Sequence, residues 1–526
     1  MDDYRLGRGA GNRALAVRRV RGLLLVLTLV FGPLTACCVA GRLSLKAALD
    51  SISVRELRAH VGFLASDALE GREAGTTGAW AASKYILEQV RKVEGLQPGD
   101  EDRDWFQTFN GNYRNLLVKV PGSDAELKNE FILIGAHYDH VGYGSRSNSR
   151  GPIGLVHNGA DDNASGVAAL IEVLEALATV DPPPRRSILA VFWDGEEKGL
   201  VGSEFFVRNP AVPLRQIRLT LNSDMIGRLG ENGLGLHGWR TAAGLRQFLA
   251  GQNNVGLRLD FSWKYQRDSD HWPFFERNIP AIMLHTGKHA DYHRPSDDAD
   301  KVNLEGLQRV SQYLFQLMMA AGSVDELPTF RSASRPEVSS LDRLRERFSK
   351  TVEWPSRFGV SYNGEVADKE KRVLVTRIET DSPAKAAGLK PDDEILEVGG
   401  RAVAEFPDFR ILVLTAPVET AVRLKRGDTE LTVKVKLRGP AVNYGFEWRI
   451  DDVEPQTIIV TAVMPGSTAD LAGLKTGHRI LKVGEAPSGD RVEFRQQLES
   501  ATDTVQFEVE DAGRLSVLNL QKFPSD

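Results

Sequence analysis

Apolar and polar positions follow two rhythms along the first two thirds of this chain. From Ser53 onward Val54, Leu57, Val61 and Leu64 recur at steps of three and four residues. Ala81, Tyr85, Ile86 and Val90 do the same, so the spacing predicts amphipathic helices from about Ser53 and over about 78–93. Short, wholly apolar runs then appear at Phe131–Gly135, Ile188–Trp193, Ile217–Leu221 and Ala281–Leu284. Runs of that length without polar alternation read as strands covered on both faces. Between the first two, Val167, Leu170, Ile171, Leu174 and Leu177 keep helical spacing, with Asn163 or Ser165 placed to cap the helix. Buried strands alternating with helices predict an α/β domain around a mainly parallel mixed sheet flanked by helices.

The rhythm changes after that. Pro328, Ser332, Ser334, Pro336, Ser339 and Ser340 stand among charged residues, which reads as a linker over 325–354 carrying a short charged helix. Beyond it the pattern is β-rich and repeats itself. Ser382–Gly399 matches Ser467–Gly484 at an offset of 85 residues, the length of a small domain. In the first copy Ser382 can cap a short helix, Pro383 suits its first position and Gly388 ends it. Each copy opens on a glycine motif, Arg357-Phe358-Gly359-Val360 and Tyr444-Gly445-Phe446. The two units, 355–438 and 441–523, resemble tandem PDZ domains. That resemblance implies that the loops of Phe358, Gly359 and Val360, and of Tyr444, Gly445 and Phe446, offer backbone N–H groups to peptide C-termini, the peptide adding as a strand. A second role for such units is to brace a neighbouring domain.

Composition narrows the classes. At 526 residues the chain is too long for one core and suggests three to four domains. A net charge of −5 argues against nucleic acid as a partner. The cysteines are two neighbours, Cys37 and Cys38, so neither a disulfide framework nor a cysteine zinc module is available. They sit in a leader. Arg5, Arg8, Arg13, Arg18, Arg19 and Arg21 precede an apolar run from Leu23, the layout of a secretory signal over 1–40. Leu34-Thr35-Ala36-Cys37 resembles a bacterial lipoprotein cleavage box, which would acylate Cys37; an ordinary signal or an uncleaved single-helix anchor are the other readings. All three imply export, to the periplasm or the cell surface.

The chemistry gathers just beyond the apolar strands. One runs into His137-Tyr138-Asp139-His140, the next into Asp194-Gly195-Glu196-Glu197, the third into Ser223-Asp224, and the fourth into His285 and, after a loop, Asp291-Tyr292-His293. Asp161-Asp162 opens the intervening helix. In open α/β sheets, sites form at the carboxyl ends of the strands. Nitrogen and oxygen donors without sulfur suit hard or borderline divalent metals. Neither Gly-x-Ser-x-Gly nor His-Glu-x-x-His occurs, so a nucleophile elbow and a single-zinc metalloprotease helix are unsupported.

These motifs, with Gly159-Ala160-Asp161-Asp162-Asn163-Ala164-Ser165-Gly166, Ser269-Asp270-His271 and Glu70-Gly71-Arg72-Glu73-Ala74-Gly75, resemble the dizinc exopeptidase family of bacterial aminopeptidases and glutamate carboxypeptidases. The resemblance covers about 50–322 and implies a dizinc peptidase domain over 45–324. It implies His137, Asp162, Glu197, Asp224 and His293 as ligands of two Zn2+, with Asp162 shared, so that three carboxylates and a bridging hydroxide balance two zinc ions. It implies Glu196 as the general base acting on the attacking water and Asp139 as the carboxylate that holds the His137 ring. The expected activity is removal of N-terminal residues from peptides. A carboxypeptidase, for which Arg228, Arg267 or Arg294 would hold the α-carboxylate, a glutaminyl cyclase on the same fold, and a catalytically inactive scaffold are the alternatives. For the oxyanion partner Tyr265, Arg267 and Tyr292 are candidates. His60 reads as packing, His140 and His157 as flanking the site, and His271 as ordering a loop. His285 and His289 stand out of register, and Asp297, Asp298 and Asp300 read as a solvated turn.

Overall fold

The computed structural model describes residues 42–100, 104–263, 265–337, 356–405, 409–442, 444–465 and 467–522. The leader expected over 1–40, with Cys37 and Cys38, lies outside the described residues, as do residues 338–354 of the expected linker. Among the described residues no helix is long and apolar enough to cross a membrane.

The apolar runs become strands. In chain order they are β1 Leu43–Ser44, β2 Gln97–Pro98, β3 Phe106–Phe109, β4 Tyr113–Val120, β5 Phe131–His137, β6 Val180–Asp181, β7 Ser187–Trp193, β8 Ile217–Ser223, β9 Leu234–His237, β10 Leu259–Asp260 and β11 Ala281–His285. β1 pairs with β6, and the others form a mixed sheet in the order β10-β9-β11-β8-β5-β7-β4-β2, with β3 joined to β4. The four central strands β11, β8, β5 and β7 are parallel. Their register sets His137 opposite Trp193 and Leu284 opposite Ser223, so the four strands end level with one another. This is the fold class that the alternation of apolar runs predicts.

The helices are α1 Leu45–Ser51, α2 Val54–Leu64, α3 Thr77–Arg91, α4 Gly166–Thr179, α5 Val201–Arg208, α6 Leu245–Gly251, α7 Trp272–Phe275 and α8 Leu304–Ser323. Alternate residues of each central strand pack on opposite layers. Ile132, Ile134, Ile188, Ala190 and Phe192 meet α2, α3, α4 and α8. Leu133, Leu189, Val191 and Trp193 meet Phe206 of α5 and Phe274 of α7. Both faces are therefore dry, which is why these strands carry no polar alternation. Ser53 caps α2 through the N–H of Glu56 (3.2 Å). Of the two caps expected for α4, Asn163 does the work: its Oδ1 accepts the N–H of Gly166 (3.1 Å), whereas Ser165 turns back to the Asp161 carbonyl (2.7 Å).

The repeat folds as two sheets of one design. The first holds β12 Val360–Tyr362, β13 Val373–Ile378, β14 Glu394–Val398, β15 Arg401–Ala402, β16 Glu419–Arg426 and β17 Thr429–Lys436. The second holds β18 Phe446–Arg449, β19 Ile458–Val463, β20 Arg479–Val483, β21 Ala486–Pro487, β22 Thr504–Asp511 and β23 Arg514–Gln521. Strand order is equivalent in the two. Ser382 and Ser467 cap matching short helices through the N–H groups of Lys385 (3.1 Å) and Asp470 (3.3 Å).

The second unit is docked on the α/β domain. Arg246 of α6 pairs with Glu510 of β22 (Nε–Oε2 2.9 Å, Nη2–Oε1 3.2 Å), and Glu454, which lies 3.7 Å from the same guanidinium, pairs with Arg479 at 3.1 Å. All four side chains are buried. The tip of the β22–β23 hairpin meets the edge strand β10, where the Leu259 N–H donates to the Ala512 carbonyl (2.8 Å). A side chain at Gly513 would overlap Leu259, so glycine allows the close approach. Gly244 N–H donates to the Val453 carbonyl (2.8 Å), and Val453 packs into the main core. Arg240 reaches both Asp451 (3.1 Å) and Glu337 (2.8 Å) and lies over the Trp263 ring at 3.8 Å.

Two outcomes follow from these contacts. Arg246→Ala leaves Glu510 buried without its forked partner, and breaking a buried pair in this way costs about 3–5 kcal/mol; the urea midpoint of the full chain should fall accordingly, and an unchanged midpoint would contradict the interface. His271 is buried, its Nε2–H donates to the Gln266 carbonyl (3.0 Å), and burial holds its imidazole down at about 4, from 6.5. The unfolded chain therefore takes up this proton first. Stability is full above pH 6.5 and declines as pH falls towards 4, by up to about 3 kcal/mol. Urea midpoints measured across that window should slope less in His271→Gln than in the parent; parallel slopes would remove His271 as a cause.

Candidate active site

The level ends of the parallel strands bring the acidic and imidazole residues to one edge. β5 ends at His137 and turns into Asp139 and His140. β7 passes into the Asp194–Glu197 turn, and β8 into Asp224. The Gly159–Ser165 turn ahead of α4 supplies Asp161 and Asp162, and the loop after β11 supplies His293. Gly159 has φ +57°, and a side chain there would overlap the His140 ring and the Asp162 carbonyl. Met225 and His293 both hold a φ of +53°, uncommon for residues with a side chain, so the backbone is in sparsely used conformations beside two candidate ligands.

Asp162 is the centre of the cluster. Its Oδ1 lies 3.4 Å from His137 Nε2, which is also 3.4 Å from Asp224 Oδ1. Its Oδ2 lies 3.1 Å from His293 Nε2, which is 3.2 Å from Glu197 Oε1. The two oxygens of one carboxylate thus face two donor groups. The donor atoms of His137, Asp162 and Asp224 all lie within 4.8 Å of one another, close enough to share an ion, and so do those of His140, Asp162 and Glu197. His140 therefore stands closer than its reading as a flanking residue: its Nδ1 is 2.9 Å from Glu197 Oε1, and its ring meets that of His293 edge to face.

The electrostatics follow from burial and these contacts. Burial opposes ionisation of Asp162, yet hydrogen bonds to His137 and His293 and the charge of His140 hold its carboxyl well below the usual range. Burial and Asp162 push Glu197 up, but His140 and His293 outweigh them and bring it down to about 2. Burial works against the charged form of His293, and bonds to Asp162 and Glu197 nevertheless lift it to about 10. Glu196 behaves differently. Burial drives its carboxyl well above the ordinary value, His137 opposes this, and Glu197, Asp270 and Asp224 add to it.

Asp139 departs from its expected contact. The His137 ring is held by the Asp139 backbone carbonyl (Nδ1 to O, 3.1 Å), while the carboxylate stands 3.8 Å from that nitrogen. The carboxylate instead accepts the N–H groups of Glu196 (3.0 Å) and Glu197 (3.3 Å), so it orders the turn that presents both glutamates. Tyr265 donates to the Ala281 carbonyl (2.9 Å) and Arg267 pairs with Glu204 (3.0 Å), whereas Tyr292 stacks on His293 with ring centroids 3.9 Å apart. Asp297 is not in a solvated turn. It is buried, and its Oδ2 accepts the N–H groups of Asp161 (3.0 Å) and Asp162 (3.1 Å). Arg72, whose role the sequence does not specify, is also buried and donates to the carbonyls of Leu64, Tyr138, Asn158 and Gly159. Its place inside the Glu70–Gly75 motif is the one signal that marks it.

In the two repeat units the glycine loops are built alike. Gly359 (φ +81°) and Gly445 (φ +79°) each lie against the capping serine of their unit, Ser382 or Ser467, where a side chain would overlap. The groove beside Phe358, Gly359 and Val360 is largely apolar, with Tyr362, Phe409 and Val413 on its walls and Met464 and Pro465 of the second unit at one end. Phe358 itself is buried. Arg357 donates to the carbonyls of Leu414 (2.7 Å), Ala416 (2.9 Å) and Arg438 (3.0 Å), bracing that groove from behind. The groove of the second unit, between Tyr444, Phe446 and Trp448 and the helix of Arg491 and Arg495, is more polar.

Residues 115–318 match the Peptidase family M28, and 359–437 and 432–510 each match the PDZ domain. Leupeptin-inactivating enzyme 1 of Streptomyces exfoliatus is 28% identical over 48% of this chain and 52% of its own length. An aminopeptidase of Pseudomonas aeruginosa (strain UCBPP-PA14) is 32% identical over 30% of this chain and 29% of its own. The chain thus spans about half or less of the curated relatives it matches. Among solved structures, the LapA aminopeptidase of Legionella pneumophila aligns with 54% of this chain and 75% of its own at 21% identity and a TM-score of 0.44. The α/β portion of the chain is a peptidase family M28 domain, and two PDZ domains follow it.

Proposed function

We propose that this chain is an exported zinc-dependent exopeptidase that removes N-terminal residues from peptides. The observation that carries the reading is the Asp162 carboxylate, with one oxygen toward His137 and Asp224 and the other toward His293 and Glu197. These five residues would hold two zinc ions with Asp162 shared, and the all-nitrogen-and-oxygen donor set fits that metal. Zinc bound there supplies Lewis acidity, acidifying water and polarising the scissile carbonyl. The family M28 match and the aminopeptidase name of the Pseudomonas relative support the same activity.

The remaining chemistry belongs to Glu196. A half-buried carboxyl with a raised proton affinity suits a group that takes a proton from the attacking water and returns it to the leaving amine. Asp139 fixes the turn on which it stands. A carboxylate-rich wall attracts a free α-amine. Of the three arginines a carboxypeptidase could use for an α-carboxylate, Arg228 is engaged by Asp291 and Asp297 and Arg267 by Glu204, which leaves Arg294 as the candidate of that alternative. Export rests on the leader at 1–40, whose Cys37 would be the point of lipid attachment. The PDZ grooves would take peptide C-termini, from substrates or from a partner protein.

Glu196→Gln should keep its zinc and lose about 10²–10⁴-fold in kcat; turnover at the parental rate would sink the mechanism. The reacting end of the substrate is decided by a matched peptide set. Cleavage should persist with a C-terminal amide and stop with an N-acetyl group, and the reverse pattern would make the enzyme a carboxypeptidase.

A further inference from the structure

Behind the ligand cluster lies a second group of charged side chains that the reaction above leaves unused. Asp297 stands at its middle. Its Oδ2 accepts the successive N–H groups of Asp161 (3.0 Å) and Asp162 (3.1 Å), its Oδ1 meets Arg228 Nη2 at 3.0 Å, and its carbonyl accepts the N–H of Ala160 (2.9 Å). Arg228 follows Asp224 by four residues and also reaches Asp291 at 3.4 Å. Asp161 points away from Asp162's cluster. Its Oδ1 accepts the Gly227 N–H (2.6 Å) and the Ser165 hydroxyl (3.1 Å), and its Oδ2 lies 3.1 Å from His289 Nε2.

Apart from the Ser165 hydroxyl bond, which stays within its own turn, each of these bonds joins two of three segments. The turn 159–166 carries Asp162, the segment 224–228 carries Asp224, and the loop 289–297 carries His293. Two successive N–H groups held on one carboxylate oxygen fix the orientation of the Asp161–Asp162 backbone. The Asp162 side chain then leaves the turn in one direction. Arg228 Nη2 stands 3.0 Å from the other oxygen of this buried carboxylate, and hydrogen bonds to a charged acceptor are roughly twice as strong as neutral ones. We infer that Asp297, with Arg228 and Asp161, is the positioning group that aims the Asp162 carboxylate between its two donor sets and so sets the affinity of the chain for zinc. The inference rests on the proposed role of Asp162 as the shared ligand.

The test measures zinc itself on the full chain, by competition with a chromophoric chelator. Groups that orient metal ligands from behind typically contribute 10–100-fold in metal affinity. Asp297→Ala should therefore hold at least one zinc roughly 10–100-fold more weakly than the parent. Asp297→Asn, which keeps an oxygen for the two N–H groups, should recover part of the loss. A residue that served only packing would lower the melting temperature of the metal-free chain and leave zinc affinity where it was, with no rescue by Asn. Where Asp297→Ala does not fold, Arg228→Met leaves the carboxylate in place but unpaired and should weaken zinc in the same direction. Parental zinc affinity in both Asp297→Asn and Arg228→Met overturns the inference while leaving the peptidase reading intact. A parent chain that takes up no zinc overturns the peptidase reading and the clamp together.

Discussion

Carboxylates crowded at one sheet edge and shielded from water repel one another, and the architecture depends on how that repulsion is offset. Asp139, Asp161, Asp162, Asp194, Asp224, Asp270 and Asp297 are all buried around the ends of β5, β7 and β8. Each needs a partner, because an unpaired buried charge costs several kcal/mol. Asp139 and Asp297 take pairs of backbone N–H groups, Asp161 takes one with a hydroxyl and a histidine, and Asp297 adds Arg228. Arg72 places a fully buried cation behind the same turns. Burial lowers its guanidinium to about 10, against the pull of Asp162, Asp139, Asp297 and Glu197. The turns are thus shaped by the demand of their charges for donors, and the ligand geometry is the residue of that demand.

How much of this was legible in the sequence follows from how local each cause is. The central strands were readable because both of their faces are dry, a property written in every residue of Phe131–Gly135 and Ile188–Trp193. The residues that converge were readable as strand-end motifs, since parallel neighbours bring their ends together. Asp297 was misread together with Asp298 and Asp300 because one buried acid beside a half-buried and an exposed one looks like a polar turn; only the N–H groups of residues 161 and 162, far away in sequence, reveal its job. Asp139 shows the same limit on a smaller scale. The family resemblance implied a carboxylate–imidazole contact with His137, but the backbone carbonyl serves the ring and frees the carboxylate for the Glu196–Glu197 turn.

The tandem repeat was visible as text, and its two copies share strand order and caps. What the repeat could not disclose is that the copies have diverged in surroundings. The first keeps an apolar groove, braced by Arg357. The second is joined to the α/β domain through Arg246, Glu510, Glu454 and Arg479, so that one of the two general roles of such units, bracing a neighbour, is realised in the contacts of the second copy.

The hairpin tip at Ala512 and Gly513 has a bearing on how the chain is made. It meets β10, about 250 residues earlier, and β10 is the edge strand of the peptidase sheet. At a synthesis rate of roughly 5–20 residues per second, that edge stays open for about 12–50 s after Leu259 has emerged. During this interval the N–H of Leu259 is available to any other strand, the usual route to intermolecular pairing. The sheet of the α/β domain is therefore finished by a hairpin made about 250 residues later, and synthesis of the second repeat unit is itself a step in closing that domain.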